Sequence, residues 1–226
     1  MPLFPSVLVI AVIAMILQGI FILEEKKKNY ILAVIFKGSA SLCFALIGVL
    51  ALLEDTTDVF VQRIVSGLIL GMIGDIIMNL RFIFKKHPRR MFLLGIFVFL
   101  IGHVMYLLAL IPISHHLAES FAVGIILALG LVIYIFKTMD VKPVVEVFGA
   151  VYLCVVIAMT TIAFDIAVFS CNTATVVFAT GALLFTASDI GLVFNSFRHK
   201  SSFRFRIVNL SLYILGQILI AASLIF

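Results

Sequence analysis

Long apolar runs, separated by loops too short to hold a domain, leave this chain little choice of solvent. A run of roughly 20 apolar residues crosses a bilayer as a helix. By that criterion the sequence predicts spans at 5–23, 30–52, 61–83, 91–112, 117–137, 143–164, 173–197 and 206–226. With 64% hydrophobic and 12% charged residues the chain lies far from a soluble domain, which runs at about half apolar and about a quarter charged. The expected fold is therefore all-α: a polytopic bundle of about eight transmembrane helices forming one integral membrane domain over 1–226. The opening MPLFPS has no basic stretch and Val7–Leu23 is long enough to span, so a retained first helix is expected rather than a cleaved signal.

The loops predict an orientation. Lys26, Lys27 and Lys28 follow the first span; Arg81, Lys85, Lys86, Arg89 and Arg90 the third; Lys137 and Lys142 the fifth; and Arg198, Lys200, Arg204 and Arg206 the seventh. Those loops share one side and hold 14 of the 16 Lys and Arg residues, Arg63 and Lys37 being the exceptions. Positive loops stay in the cytoplasm, which puts both termini outside. The net charge of +5 is thereby read as topology and contact with anionic lipid, with no nucleic-acid partner.

The third and seventh spans echo each other. GLILGMIGDIIMNLRF runs from Gly67 to Phe82 and GALLFTASDIGLVFNSF from Gly181 to Phe197, each with Asp eight positions after the first Gly. Two parallel four-helix repeats, 1–112 and 117–226, would place Asp75 and Asp189 at matching depths.

Polar side chains inside the spans carry the functional signal. An Asp or Lys near the centre of a membrane helix costs about 2.5–3.5 kcal/mol, so it is paired, wet or chemically active. The candidates are Lys37, Asp75, Asn79, His103, Tyr106, Glu146, Tyr152, Ser188, Asp189, Tyr213 and Gln217. At about 1.5 Å per residue, Lys37, Asp75 and Asp189 lie roughly 10 Å from the basic ends of their helices, and His103 and Gln217 reach nearer the midplane. The outer half offers only Asp165, expected to be solvated at a helix end. One pocket open to the basic side fits this distribution. Helical spacing groups the candidates: Gly67, Gly71, Asp75 and Asn79 share a stripe, as do Gly95, Phe99, Gly102, His103 and Tyr106.

Two carboxylates, a histidine and three tyrosines suit general acid–base work on an uncharged bond. No His pair has helical ligand spacing, there is no HExxH, and His115 and His116 are adjacent in an outer loop, so no metal or other cofactor is expected. No GxSxG occurs, which argues against a serine hydrolase. Cys43 and Cys154 read as small core residues and Cys171 as a loop residue, with no CxxC among them.

Ordered motifs along most of the chain then resemble the YhhN-like membrane proteins, the family that includes the lysoplasmalogenases. They are Lys37, Gly74–Asp75, Gly102–His103 with Tyr106, Lys142–Pro143 leading to Tyr152, Ser188–Asp189, and Tyr213 with Gln217. The family usually has proline after the lysine, where this chain has Gly38. The resemblance implies hydrolysis of the vinyl ether bond of a lysophospholipid, giving a fatty aldehyde and a glycerophospho-headgroup. It implies catalytic roles for Asp75, Asp189 and His103. Lys37 is then expected to meet the lipid phosphate, with Asn79, Tyr106, Tyr152, Ser188, Tyr213 and Gln217 as further substrate contacts. A proton-coupled transporter is the alternative, which requires polar access from both faces, and a purely structural role for the polar groups is the third reading.

Overall fold

A computed structural model of the chain describes residues 3–84, 86–139, 143–197 and 202–226. The basic-loop residues Lys85, Lys142, Arg198 and Lys200 lie outside the described residues, Lys142 taking half of the Lys142–Pro143 motif with it. Among the described residues there are eight helices long and apolar enough to cross a membrane. They are α1 (Phe4–Lys26), α2 (Tyr30–Glu54), α3 (Val59–Leu80), α4 (Pro88–Leu110), α5 (Leu117–Thr138), α6 (Pro143–Ser170), α7 (Thr173–Phe197) and α8 (Phe203–Ala222). The chain is an all-α polytopic bundle.

Local chemistry sets the helix starts. Pro88 opens α4 and Pro143 opens α6, where a missing N–H costs nothing. Asp58 caps α3 by accepting from the amides of Phe60 at 2.8 Å and Val61 at 3.3 Å. Asn172 accepts from the amide of Thr175 at 2.8 Å at the head of α7.

Helix ends shift by a few residues from the expected spans, and the largest shift, at the end of the sixth helix, lies beside Asp165. The sixth helix runs six residues past 164, to Ser170, and Asp165 is 8% exposed rather than solvated. Its carboxylate accepts from Ser114 Oγ at 2.7 Å and from the amides of His115 and His116 at 2.8 and 3.1 Å, with His116 Nδ1 at 3.2 Å. The α4–α5 connection folds over the carboxylate and satisfies it, so the helix continues past a charge that would otherwise have ended it.

Successive helices pack in order within α1–α4 and within α5–α8. The two sets meet where α4 packs on α6 and where α8 packs on α1, α2 and α3. Neighbouring helices approach closely at two glycine pairs. A Cβ on Gly67 of α3 would lie 2.9 Å from the carbonyl oxygen of Gly102 on α4, and one on Gly181 of α7 would lie 2.8 Å from that of Gly216 on α8. Only hydrogen fits there. α1 and α5 are the most peripheral helices and face outward with Leu8, Ile16, Ile126 and Leu127. Towards the ends bearing Glu54 and Leu110 the interior is mainly apolar, with Ile47, Ile64, Leu68 and Ile162 fully buried and a smaller cavity lined by Leu110, Ile166, Phe178 and Ser223. Apart from Asp165, the buried charges gather at the other end.

Candidate functional site

Asp75 is held by partners from two neighbouring helices. Lys37 and Ser41 lie one turn apart on α2, so they share the face turned towards α3. Lys37 Nζ stands 3.2 Å from the Asp75 carboxylate, Ser41 donates a short hydrogen bond to it, and the Tyr213 hydroxyl of α8 donates at 2.7 Å. Lys37 also donates to Gln18 of α1 at 3.4 Å and lies 4.0 Å from the centre of the Tyr213 ring. With the lysine 2% and the aspartate 4% exposed, this is a buried ion pair whose lone pairs and protons are largely taken up.

Asp189 stands in a different setting. It is 6% exposed, and its carboxylate accepts a short hydrogen bond from the Tyr152 hydroxyl of α6. Its neighbour Ser188 points elsewhere, donating to Asn209 Oδ1 of α8 at 2.7 Å. Among the described residues no lysine, arginine or histidine lies within ion-pair distance of Asp189.

Both carboxylates line one cavity with an empty volume of about 1140 Å³, counting the open space at its mouth. Away from its mouth the polar lining comprises Lys37, Asp75, Asn79, Tyr152, Ser188, Asp189, Asn209 and Tyr213. The apolar lining comes largely from Phe92, Ile96 and Phe99 on α4 and from Val132, Ile135 and Phe136 on α5. Although both helices face the cavity, α4 and α5 do not pack closely against each other. The mouth carries Arg81, Glu146 and Arg206, all at the end of the bundle with the basic loops. Arg206 is held by Glu25 of α1 in a two-pronged pair, one arm 2.6 Å long. Burial, and secondarily the charge of Arg206, push Arg81 down to about 10, so it stays cationic at neutral pH.

Three of the sequence-selected residues do not line the cavity. His103 is fully buried among the rings of Tyr106, Tyr152 and Phe185, with Nδ1 2.7 Å from the carbonyl oxygen of Phe99. That contact makes Nδ1 the protonated nitrogen and leaves Nε2 without a partner. Tyr106 donates to Gln217 Oε1 at 3.2 Å, and the Gln217 amide nitrogen has no partner either. His103, Tyr106 and Gln217 thus form a layer beside the cavity wall. Among the described residues no three His, Cys, Asp or Glu side chains come together as a metal site would need.

The structure adds residues that the sequence reading passed over. Ser41 had a signal, four positions from Lys37 on one helical face. Asn209, Tyr213 and Gln217 likewise form one stripe of α8, of which the first was missed. Gln18 is an isolated amide in an otherwise apolar run. Arg81 and Arg206 belong to the basic loops in the sequence and reach the cavity mouth in the fold.

A family model described as the YhhN family matches residues 32–224. The chain belongs to the YhhN family. The YhhN match begins within α2 and takes in every cavity-lining residue, while α1, which supplies Gln18 and Glu25, lies outside it. No curated protein and no solved structure matches the chain.

Proposed function

We propose that this YhhN protein hydrolyses the vinyl ether bond of a lysophospholipid from within the membrane, releasing a fatty aldehyde and a glycerophospho-headgroup. The observation that carries the reading is the pair of buried carboxylates lining one cavity, Asp75 with a lysine against it and, among the described residues, Asp189 with none. Vinyl ether hydrolysis needs those two kinds of group. A proton must be added to the β-carbon of the alkenyl chain, and the oxocarbenium ion that results must be stabilised until water attacks it.

Asp189 is the proton donor in this scheme. Its carboxyl hydrogen passes to the β-carbon, the C=C electrons form the new C–H bond, and positive charge spreads over the α-carbon and ether oxygen. Asp75 remains anionic beside Lys37 and opposes that charge. Water attacks the α-carbon and gives its proton to the Asp189 carboxylate, which restores the acid and leaves a hemiacetal. The hemiacetal hydroxyl proton moves to the glycerol oxygen as the C–O bond breaks, giving aldehyde and alcohol. One water is consumed and the protein is unchanged. Tyr152 fixes the orientation of the Asp189 carboxyl, and Tyr213 that of Asp75. His103, outside the cavity lining, reaches this chemistry only through its packing on Tyr152.

The gap between α4 and α5 suits a single acyl-type chain entering from the bilayer, and the basic-loop end of the cavity suits a headgroup at the cytoplasmic interface. The buried ion pair and the second carboxylate both lie towards the basic-loop end, a one-sided placement that favours hydrolysis over transport, since a transporter needs access from both faces.

The test is aldehyde release by the purified protein from a lysoplasmalogen, followed with a coupled aldehyde reductase. Wild type should turn over and continue to do so in EDTA. A folded wild-type protein that releases no aldehyde from any lysophospholipid vinyl ether would sink the reading.

A further inference from the structure

Lys37, the residue that the sequence offers for the lipid phosphate, is already engaged. Its ammonium meets the Asp75 carboxylate at 3.2 Å, Gln18 at 3.4 Å and the face of Tyr213 at 4.0 Å. Bringing a phosphate to it would require breaking a buried pair. Arg206 is likewise held, by both oxygens of Glu25. Arg81 differs from both. It lines the cavity mouth, and among the described residues no carboxylate lies within ion-pair distance of it.

The surroundings of Arg81 suit an anion. Its guanidinium carbon lies 4.8 Å from the centre of the Phe92 ring and 4.9 Å from that of Phe82. Aromatic neighbours hold a guanidinium in place without consuming its charge, leaving N–H groups for a two-point contact with phosphate oxygens. Asn209 lines the same cavity and spends its amide oxygen on Ser188, so its NH2 group remains to donate. Arg81 also lies six positions beyond Asp75, about 9 Å along the helix direction, a span suited to the glycerol between a phosphate and a vinyl ether. On another wall, Glu146 in the first turn of α6 faces the cavity with no cation within ion-pair distance among the described residues.

We propose that Arg81 binds the phosphate of the substrate headgroup and that Glu146 selects against headgroups of net negative charge. The proposal rests on the lysophospholipid reading for its ligand but not on the hydrolysis itself. A phosphodiester ending in a cation satisfies both poles of the mouth. One ending in a neutral group leaves Glu146 without a counter-charge, and one ending in an anionic group sets a like charge against it.

Binding is measured with a radiolabelled acyl lysophosphatidylcholine, which has no vinyl ether, on the detergent-purified full chain. Competitors are an unlabelled monoacylglycerol of the same chain, a lysophosphatidylglycerol and inorganic phosphate. Wild type should prefer lysophosphatidylcholine over monoacylglycerol by about tenfold or more, the scale of one charge-assisted hydrogen-bonded contact. Arg81→Gln should remove that preference while monoacylglycerol binding persists, and Arg81→Lys should restore part of it. Glu146→Gln should leave the phosphate preference intact and raise affinity for lysophosphatidylglycerol towards that for lysophosphatidylcholine.

A phosphate preference that survives in monodisperse Arg81→Gln protein would overturn the assignment to Arg81. Unchanged headgroup discrimination in Glu146→Gln would overturn the selection by Glu146. Inorganic phosphate competing as well as a lysophospholipid would overturn the headgroup assignment in favour of a free-anion site. Arg81-dependent binding without aldehyde release from a vinyl ether substrate would sink the hydrolase reading alone.

Discussion

Asp75 and Asp189 occupy corresponding places in two similarly built quarters of the molecule, and their surroundings differ sharply. The interval that separates them also separates Gly67 from Gly181 and Gly102 from Gly216, the glycines at which α3 meets α4 and α7 meets α8. Each carboxylate accepts from the preceding helix, Asp75 from Ser41 and Asp189 from Tyr152. The likeness ends there. Four positions before its donor, α2 carries the buried Lys37 and α6 carries the exposed Phe148. The same interval matches Tyr213, which donates to Asp75, with Phe99, which has no hydroxyl to offer. A duplicated four-helix unit would account for the common frame. In the proposed mechanism the side chains then divide the work between a fixed charge and a proton carrier.

The largest effect should come from the less supported carboxylate. Asp189→Asn removes the proposed proton donor but keeps an acceptor for Tyr152, so aldehyde release should fall by about 10²–10⁴-fold with little change in unfolding temperature. Asp75→Asn should cost stability as well as activity, because it leaves the Lys37 ammonium buried without its counter-charge, a loss of about 3–5 kcal/mol. Thermal unfolding in detergent separates the two cases. Equal destabilisation by both variants would erase the distinction between the two quarters.

Lys37→Met in the Asp75→Asn background sharpens the comparison. Removing both charges keeps similar volumes and leaves an amide to accept from Ser41 and Tyr213, and replacing a buried ion pair by uncharged residues is often neutral or stabilising. The double variant should unfold close to wild type yet remain inactive, which would separate the electrostatic role of Asp75 from its role in folding. Recovery of aldehyde release in that variant would show that no negative charge is needed opposite Asp189.

The frame was far more legible in the sequence than this asymmetry. Helix number follows from the length of apolar runs, because a backbone in lipid must satisfy its hydrogen bonds within each span. The polar end of the bundle could be read as well, since every Asp or Lys inside a span stands out against its neighbours. The positions of His103, Tyr106 and Gln217 outside the cavity lining could not be read. Period and depth place a residue on a face at a height, but which neighbouring helix covers that face depends on close approach at glycines such as Gly67 and Gly181. Asp165 shows the same limit from the other side. Its acceptors were visible in the chain, but the donors that bury it come from a connection about 50 residues away.

The tyrosines come next in size. Tyr213→Phe removes a 2.7 Å donor to a charged carboxylate and should cost about 1.5–3 kcal/mol of stability, with the ring still covering Lys37. Tyr152→Phe should act mainly on turnover, by about tenfold, because it frees the Asp189 carboxyl to rotate away from the alkenyl chain. Comparable losses of rate in both would indicate that the proton carrier is not confined to Asp189.

The smallest contrast lies between two serines, and it locates the charge without using activity. Ser41 donates to Asp75, whereas Ser188 donates to the neutral amide oxygen of Asn209 at 2.7 Å. A hydrogen bond to an ionised group is worth about 1.5–3 kcal/mol and one between neutral groups about 0.5–1.5. Ser41→Ala should therefore destabilise by more than Ser188→Ala, although both hydroxyls are almost fully buried and both variants remove one oxygen. Repeating the pair in the Lys37→Met, Asp75→Asn background should bring the Ser41→Ala cost down to that of Ser188→Ala, since both hydroxyls would then face neutral amides. A Ser41→Ala cost that stays high there would place its origin in packing between α2 and α3 rather than in the Asp75 charge.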